Sequence, residues 1–208
     1  MDVTVLSIAI AAITVITVGV FVIRYWLHPF LSPNAPRADA GILIVEGWMD
    51  DASLKRVLPV FAAGNYSKLV TVGGPLTMGA YLSPHKTLAE LSAATLIAFG
   101  FDSSALVAVP STASKRDRTA TTATAFCEWL SVHYPKVTSV NLYSHGVHAR
   151  RSWILYKREL EPAVRVGIIA PIPVSYNPNY WWRSSEGTKR VIVECIALTY
   201  TLFPKRSR

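Results

Sequence analysis

Five short runs dominate what this chain can fold into. They are "GILIV" (41–45), "KLVTV" (68–72), "ALVAV" (105–109), "VTSVNLY" (137–143) and "VRVGIIA" (164–170). Each is apolar almost throughout, without the in–out alternation of a strand that has one wet face. Between them lie segments with helical character: 51–64, 85–100, 118–134 and 149–160. Strands buried on both faces, joined by helices, require a parallel sheet covered above and below. The pattern predicts an α/β, Rossmann-like three-layer domain around a mostly parallel sheet of about five strands.

A second feature lies ahead of this domain. Val3 to Ile23 carries no charge over 21 residues, close to the ~20 residues a helix needs to cross a bilayer. Arg24, Tyr25 and Trp26 follow it, a cation and two aromatics of the kind that settle at a lipid–water boundary. A signal peptide has a basic start, a shorter apolar core and a small-x-small exit; none is evident. The expectation is an uncleaved, single-span anchor over 1–27, with the lipid bilayer as partner through Val3–Ile23. The flanking cations Arg24 and Arg37 follow the span, which favours a cytoplasmic domain by the positive-inside rule. "HPFLSPNAPRADA" (28–40) holds three prolines and reads as an extended linker over 28–39. The domain itself is expected over 40–208, ending in a buried helix at 191–203. That last run is too short to span.

The formal net charge is +8. A basic domain beside a membrane is drawn to anionic headgroups. No helix-turn-helix, zinc-finger or RNP pattern is present, so nucleic acid is not expected as a partner. Cys127 and Cys195 lack CxxC or zinc spacing and read as core residues.

In open α/β sheets, ligands bind beyond the carboxyl ends of the strands. The residues following each run therefore name the site. They are Glu46 and Trp48 after the first, Gly73 and Gly74 after the second, and Arg118 and Thr119 at the helix start after the third. After the fourth come Ser144, His145 and His148, then Arg150 and Arg151. Cations beside helix N-termini, where N–H groups are free, make an anion site. This reading assigns anion binding to Arg118, Thr119, Arg150, Arg151, Gly73 and Gly74. It assigns acid–base work to His148, with Glu46, Ser144 and His145 completing the pocket. His145, His148 and Glu46 are possible metal ligands, but the set is incomplete and no metal or cofactor is assigned.

The same residues resemble the YdcF-like family, the SanA/ElyC/YdcF domain of bacteria, over roughly Ala40 to Pro171. The family pattern has a Gly-Gly after the second strand, an Arg-x-Thr- or Ser-x-Thr-type helix start with a following Ala, and a late Thr-Ser-x-x-His-x-x-Arg-Ala. Gly73-Gly74, Arg118-Thr119 with Ala123, and His148 with Arg151 match it. Ser144 takes the Thr place, His145 the Ser place and Ser152 the Ala place. Glu46 replaces a common glycine. The resemblance implies a membrane-anchored Rossmann-like domain at the bacterial inner membrane, extracytoplasmic despite the charge bias and acting in envelope or peptidoglycan biogenesis.

Each candidate also has a purely structural reading. His148 can be a half-buried histidine, Arg150 a solvated helix residue and Gly73-Gly74 a tight turn. Arg151 can bridge a core carboxylate, in which case its loss lowers stability rather than ligand affinity. Adjacent Ser144 and His145 make an improbable nucleophile and base, because no elbow glycines flank the serine. Two function classes follow. One is an enzyme acting on an anionic small molecule or lipid-linked envelope intermediate containing phosphate or a nucleotide. The other is a non-catalytic anion- or nucleotide-binding module that docks an envelope partner.

Overall fold

The computed structural model describes residues 3–114 and 116–203. In chain order the elements are α1 (Val3–Leu31), β1 (Ile42–Glu46), α2 (Asp51–Lys55), α3 (Val57–Ala63), β2 (Lys68–Gly73) and α4 (Leu88–Ala98). Then come β3 (Leu106–Pro110), α5 (Arg118–His133), β4 (Ser139–Tyr143), α6 (Ala149–Leu160), β5 (Arg165–Ile169) and α7 (Ser185–Leu202). The five strands form one sheet in the order β3-β2-β1-β4-β5, and every pairing is parallel. The Rossmann-like reading holds, and the sheet is wholly parallel.

Alternation along the strands sorts side chains to two faces. Ile42, Ile44, Val70, Val72, Val140, Leu142 and Ile168 pack with Phe126 of α5 and Tyr156 of α6. Leu43, Val45, Leu69 and Tyr143 pack with Leu54 of α2, Val57 of α3 and Leu96 of α4. The sheet is thus the middle of three layers, and its inner strands are almost entirely buried, as their all-apolar sequences require.

Local chemistry explains the departures from the expected boundaries. The helix expected over 51–64 is two helices, broken at Arg56. Pro59 has no N–H to return to the Lys55 carbonyl, and its ring crowds that carbonyl. The helix expected from His85 starts at Leu88. Thr87 caps it by accepting from the Glu90 N–H, while Glu90 reaches back to the Thr87 N–H. The last helix starts at Ser185 rather than Val191, capped by Ser184.

Helix α1 is long and apolar enough to cross a membrane, and the domain does not bury its apolar stretch. Ser7, Thr14 and Thr17 return their hydroxyls to carbonyls four residues back, so none of the three presents a bare donor. The expected linker needs correction. The helix continues through His28 and Pro29 to Leu31, and both His28 and Leu31 are buried against the domain. Beyond it, Ala35 bridges Ile168 of β5. Asn141 accepts from the Arg37 N–H at 2.8 Å and donates to the Arg37 carbonyl at 2.9 Å. Pro29 does not end the helix, and Pro33 and Pro36 do not exclude docking: residues 35–37 are pinned along the sheet.

Candidate active site

The strand order reverses between β1 and β4, where the chain goes first to β2 and β3 and later to the other side for β4 and β5. At such a switch point the connections diverge and leave a crevice. Glu46 ends β1, and Ser144 and His145 follow β4. A cavity of about 760 Å³ opens there, between the first turns of α5 and α6 and one side of α7.

Glu46 is the buried anchor of this crevice, 2% exposed. Ser144 donates to its Oε2 at 2.5 Å and Ser152 to its Oε1 at 2.7 Å. Such bonds to a carboxylate are short and strong. His148 stands beside it, with Nε2 3.7 Å from Glu46 Oε1. Its other nitrogen, Nδ1, lies 2.7 Å from Glu194 Oε1. Glu194 also accepts from Arg151, Nε to Oε2 at 2.8 Å and Nη2 to Oε1 at 3.2 Å. Burial alone raises the Glu194 carboxyl. The hydrogen bonds from His148 and Arg151, with their charges, outweigh it and hold Glu194 down to about 2. An ionised carboxylate only accepts, so the proton on that edge of His148 sits on Nδ1. The 2.9 Å approach of Arg151 Nη2 to Nδ1 is then two donors converging on one carboxylate. Nε2 is buried and has no hydrogen-bond partner among the described residues.

Trp48 closes this side, its ring edge-on to His148 at 4.8 Å and tilted to His145 at 5.9 Å. His145 is 4% exposed, with Asp50 Oδ2 3.9 Å from its Nε2. Burial and then Arg190 push its pKa down, and Asp50 only partly offsets them.

The expected pocket residues divide clearly. Glu46, Gly73, Gly74, Arg118, Thr119, His145, His148 and Arg151 all border the cavity. Ser144 lies beneath it, fully buried against Glu46. Arg150 is elsewhere: its guanidinium stacks over the Phe30 ring at 4.0 Å and donates to the Phe30 carbonyl, holding the end of α1. It takes no place in the anion site, because consecutive residues on a helix point about 100° apart and Arg151 takes the inward position. Arg151 borders the cavity but is already engaged by Glu194.

The glycine pair serves packing first. A Cβ on Gly73 meets the Leu88 side chain at 2.7 Å and the Ala89 nitrogen at 2.9 Å, where α4 crosses the strand end. On Gly74 the nearest atom is Ser111 Oγ at 3.4 Å, an ordinary contact.

Helix α7 is the part that sequence reasoning missed. It brings Glu186, Lys189, Arg190 and Glu194 to the cavity. Arg190 is paired with Glu186 at 2.5 Å. Among the described residues, neither the Lys189 nor the Arg118 side chain has a hydrogen bond or a carboxylate partner. The signal was there: Ser184 is a good cap, and positions 186, 190, 194, 197 and 201 share one helical face. His145, His148 and Glu46 form no metal-binding group among the described residues.

No protein-family model matches this chain, and no curated protein matches it either.

Proposed function

We propose that this chain is a membrane-anchored, YdcF-like envelope protein whose cavity takes an anionic ligand bearing phosphate or a nucleotide, with His148 as the acid–base group. The observation that carries the reading is the array Glu46–His148–Glu194 in the cavity wall, facing a rim with two cations, Arg118 and Lys189, that have no side-chain partner among the described residues. Glu194 orients the imidazole and fixes which nitrogen bears the proton, as an orienting carboxylate does in other histidine-based sites. The positive ends of α5 and α6 point to the same space. The apolar length of Val3–Ile23 supplies a single-pass anchor, and the envelope assignment and extracytoplasmic placement rest on the resemblance alone.

One observation favours the second reading, a non-catalytic anion- or nucleotide-binding module. His148 Nε2 faces Glu46 and is buried rather than open. Incubating the purified full-length protein with sugar nucleotides and lipid-linked phosphates, followed by mass spectrometry, separates the two. Turnover that disappears in His148→Gln while binding persists establishes the enzyme. Binding without turnover in the wild type establishes the module. Absence of binding to any phosphate-bearing compound overturns both.

A further inference from the structure

The loop between β2 and α4 is built in an unusual way for a surface segment. It leaves the carboxyl end of β2 at Pro75 and returns at Thr87, where the two residues form an antiparallel bridge. The Leu76 N–H donates to the Lys86 carbonyl at 2.9 Å, closing the base. At its tip, Met78, Tyr81 and Leu82 are 88%, 96% and 88% exposed. Part of the backbone beneath them is tied internally. Leu82 and Ser83 N–H groups donate to the Gly79 carbonyl, and the Lys86 ammonium donates to the Ala80 and Ser83 carbonyls. Three large apolar side chains held outward on a partly self-bonded turn are poorly placed for water. They suit a lipid–water interface, where apolar side chains reach the acyl boundary and the remaining N–H groups still find partners.

The location of α1 identifies that medium. Residues 24–31 pack on the turns at 146–148 and 178–183, which follow β4 and β5 at the same carboxyl edge. Trp181 Nε1 donates to the Arg24 carbonyl at 3.1 Å, His28 Nε2 meets Tyr176 Oη at 3.0 Å, and Arg24 lies over the Trp182 ring at 5.4 Å. The apolar stretch therefore leaves the domain beside that edge. Tyr25 and Trp26, both more than half exposed, stand at the boundary position favoured by such aromatics.

We infer that the Met78–Leu82 tip is a second membrane contact, inserting into the interfacial layer of the bilayer that α1 spans. The proposal rests on the anchor reading. The tip follows β2 on one side of the switch point, and α1 docks beyond β4 on the other. The domain is thus held at two points with the mouth of the cavity between them, turned toward the lipid surface.

The test uses the full chain with Cys127 and Cys195 replaced by alanine, reconstituted in phosphatidylcholine–phosphatidylglycerol vesicles. Single cysteines at Tyr81, Leu82, Ile13 and Ser104 each carry an environment-sensitive fluorophore. Ser104 lies at the opposite edge, before β3. The expected result is emission shifted to shorter wavelength and quenched by a headgroup-level nitroxide lipid at Tyr81 and Leu82, quenching by a deep nitroxide at Ile13, and neither at Ser104. Quenching at Ile13 with water-like emission at Tyr81 and Leu82 overturns the second contact and leaves the anchor standing. No quenching at Ile13 removes the anchor and the proposal with it. Quenching at Leu82 that appears only at high protein density points to a second copy of the chain, and a quenched Ser104 removes the orientation; either result overturns the proposal.

Discussion

Ser152 donates to Glu46 Oε1 at 2.7 Å, and Ser144 donates to the other oxygen, Oε2, at 2.5 Å. The carboxylate and the two hydroxyls complement each other physically. A buried carboxylate needs donors, and Ser152 and Ser144 supply one to each oxygen. Removing either side of the arrangement leaves a buried polar group short of a partner.

Glu46→Gly is accordingly expected to destabilise the protein by about 2–6 kcal/mol, the penalty for two buried hydroxyls losing their acceptor. Ser152→Ala alone, which leaves one carboxylate oxygen short, should cost about 1–3 kcal/mol. The double variant should be more stable than the sum of the two predicts, by roughly 0.5–3 kcal/mol. Urea unfolding of the four proteins in detergent measures this coupling. Strict additivity would show that the pair is incidental.

The sheet and its site edge are legible in the sequence for one reason. A strand buried on both faces must be apolar throughout, so five such runs mark the strands and the polar residues after them mark the edge. That is how Glu46, Arg118 and His148 come to border one cavity. What is not legible depends on where long-range partners lie. Arg151 reads as a spare cation because its carboxylate, Glu194, is 43 residues away. Arg150 and Arg151 are indistinguishable until Phe30, on α1, claims one of them. The linker looks extended because its prolines describe local backbone preference, while Asn141 pins it from across the sheet.

Arg151→Ala is expected to lower stability clearly, by about 2–4 kcal/mol, because it leaves the largely buried Glu194 with only His148. In Glu194→Gln the same Arg151→Ala change should matter much less. A loss of phosphate-ligand affinity with unchanged melting temperature would instead mean that Arg151 serves the ligand directly. Melting curves of the four proteins, with and without a sugar nucleotide, decide between these outcomes.

Arg118→Ala and Lys189→Ala should do the opposite. Neither side chain has a carboxylate partner among the described residues, so stability should stay within ~0.5 kcal/mol of wild type. Removing either cation takes one charge-assisted hydrogen bond from a phosphate-bearing ligand and should weaken its binding about 10- to 100-fold. Titration calorimetry with the compound that binds wild type reads this directly. Unchanged affinity in both variants removes the rim cations from the site.

Gly47→Ala tests how tightly α4 sits on the strand ends. A Cβ there meets the Leu88 carbonyl oxygen at 2.5 Å and the Ser92 hydroxyl at 2.7 Å. The serine can turn away, but the Leu88 oxygen belongs to the first residue of α4 and moves only with the helix. The expected loss is about 1–3 kcal/mol in chemical unfolding, as for overpacked cores. A variant as stable as wild type would mean that α4 shifts freely against the crevice.

Acid should unfold the protein in two stages, and the signs follow from two buried histidines and one carboxylate. The pKa of His145 is lowered by burial, and that of His28 is lowered to about 4 by the same cause, so the unfolded chain binds their protons more readily. The stability this gives is present above the unfolded value of about 6.5 and is lost as pH falls through that range. Glu194 is held down to about 2 from an ordinary 4.5. Its contribution, on the order of 3 kcal/mol, is whole above 4.5 and is lost between about 4.5 and 2. Stability against urea should therefore decline from about pH 6.5 toward 4 and more steeply below 4.5. His145→Asn and His28→Asn should each reduce the slope of the first segment, and Glu194→Gln should flatten the second while lowering the plateau above it. A wild-type profile level from pH 7 down to 3 would show that neither the buried imidazoles nor the Glu194 cluster is linked to folding in this way.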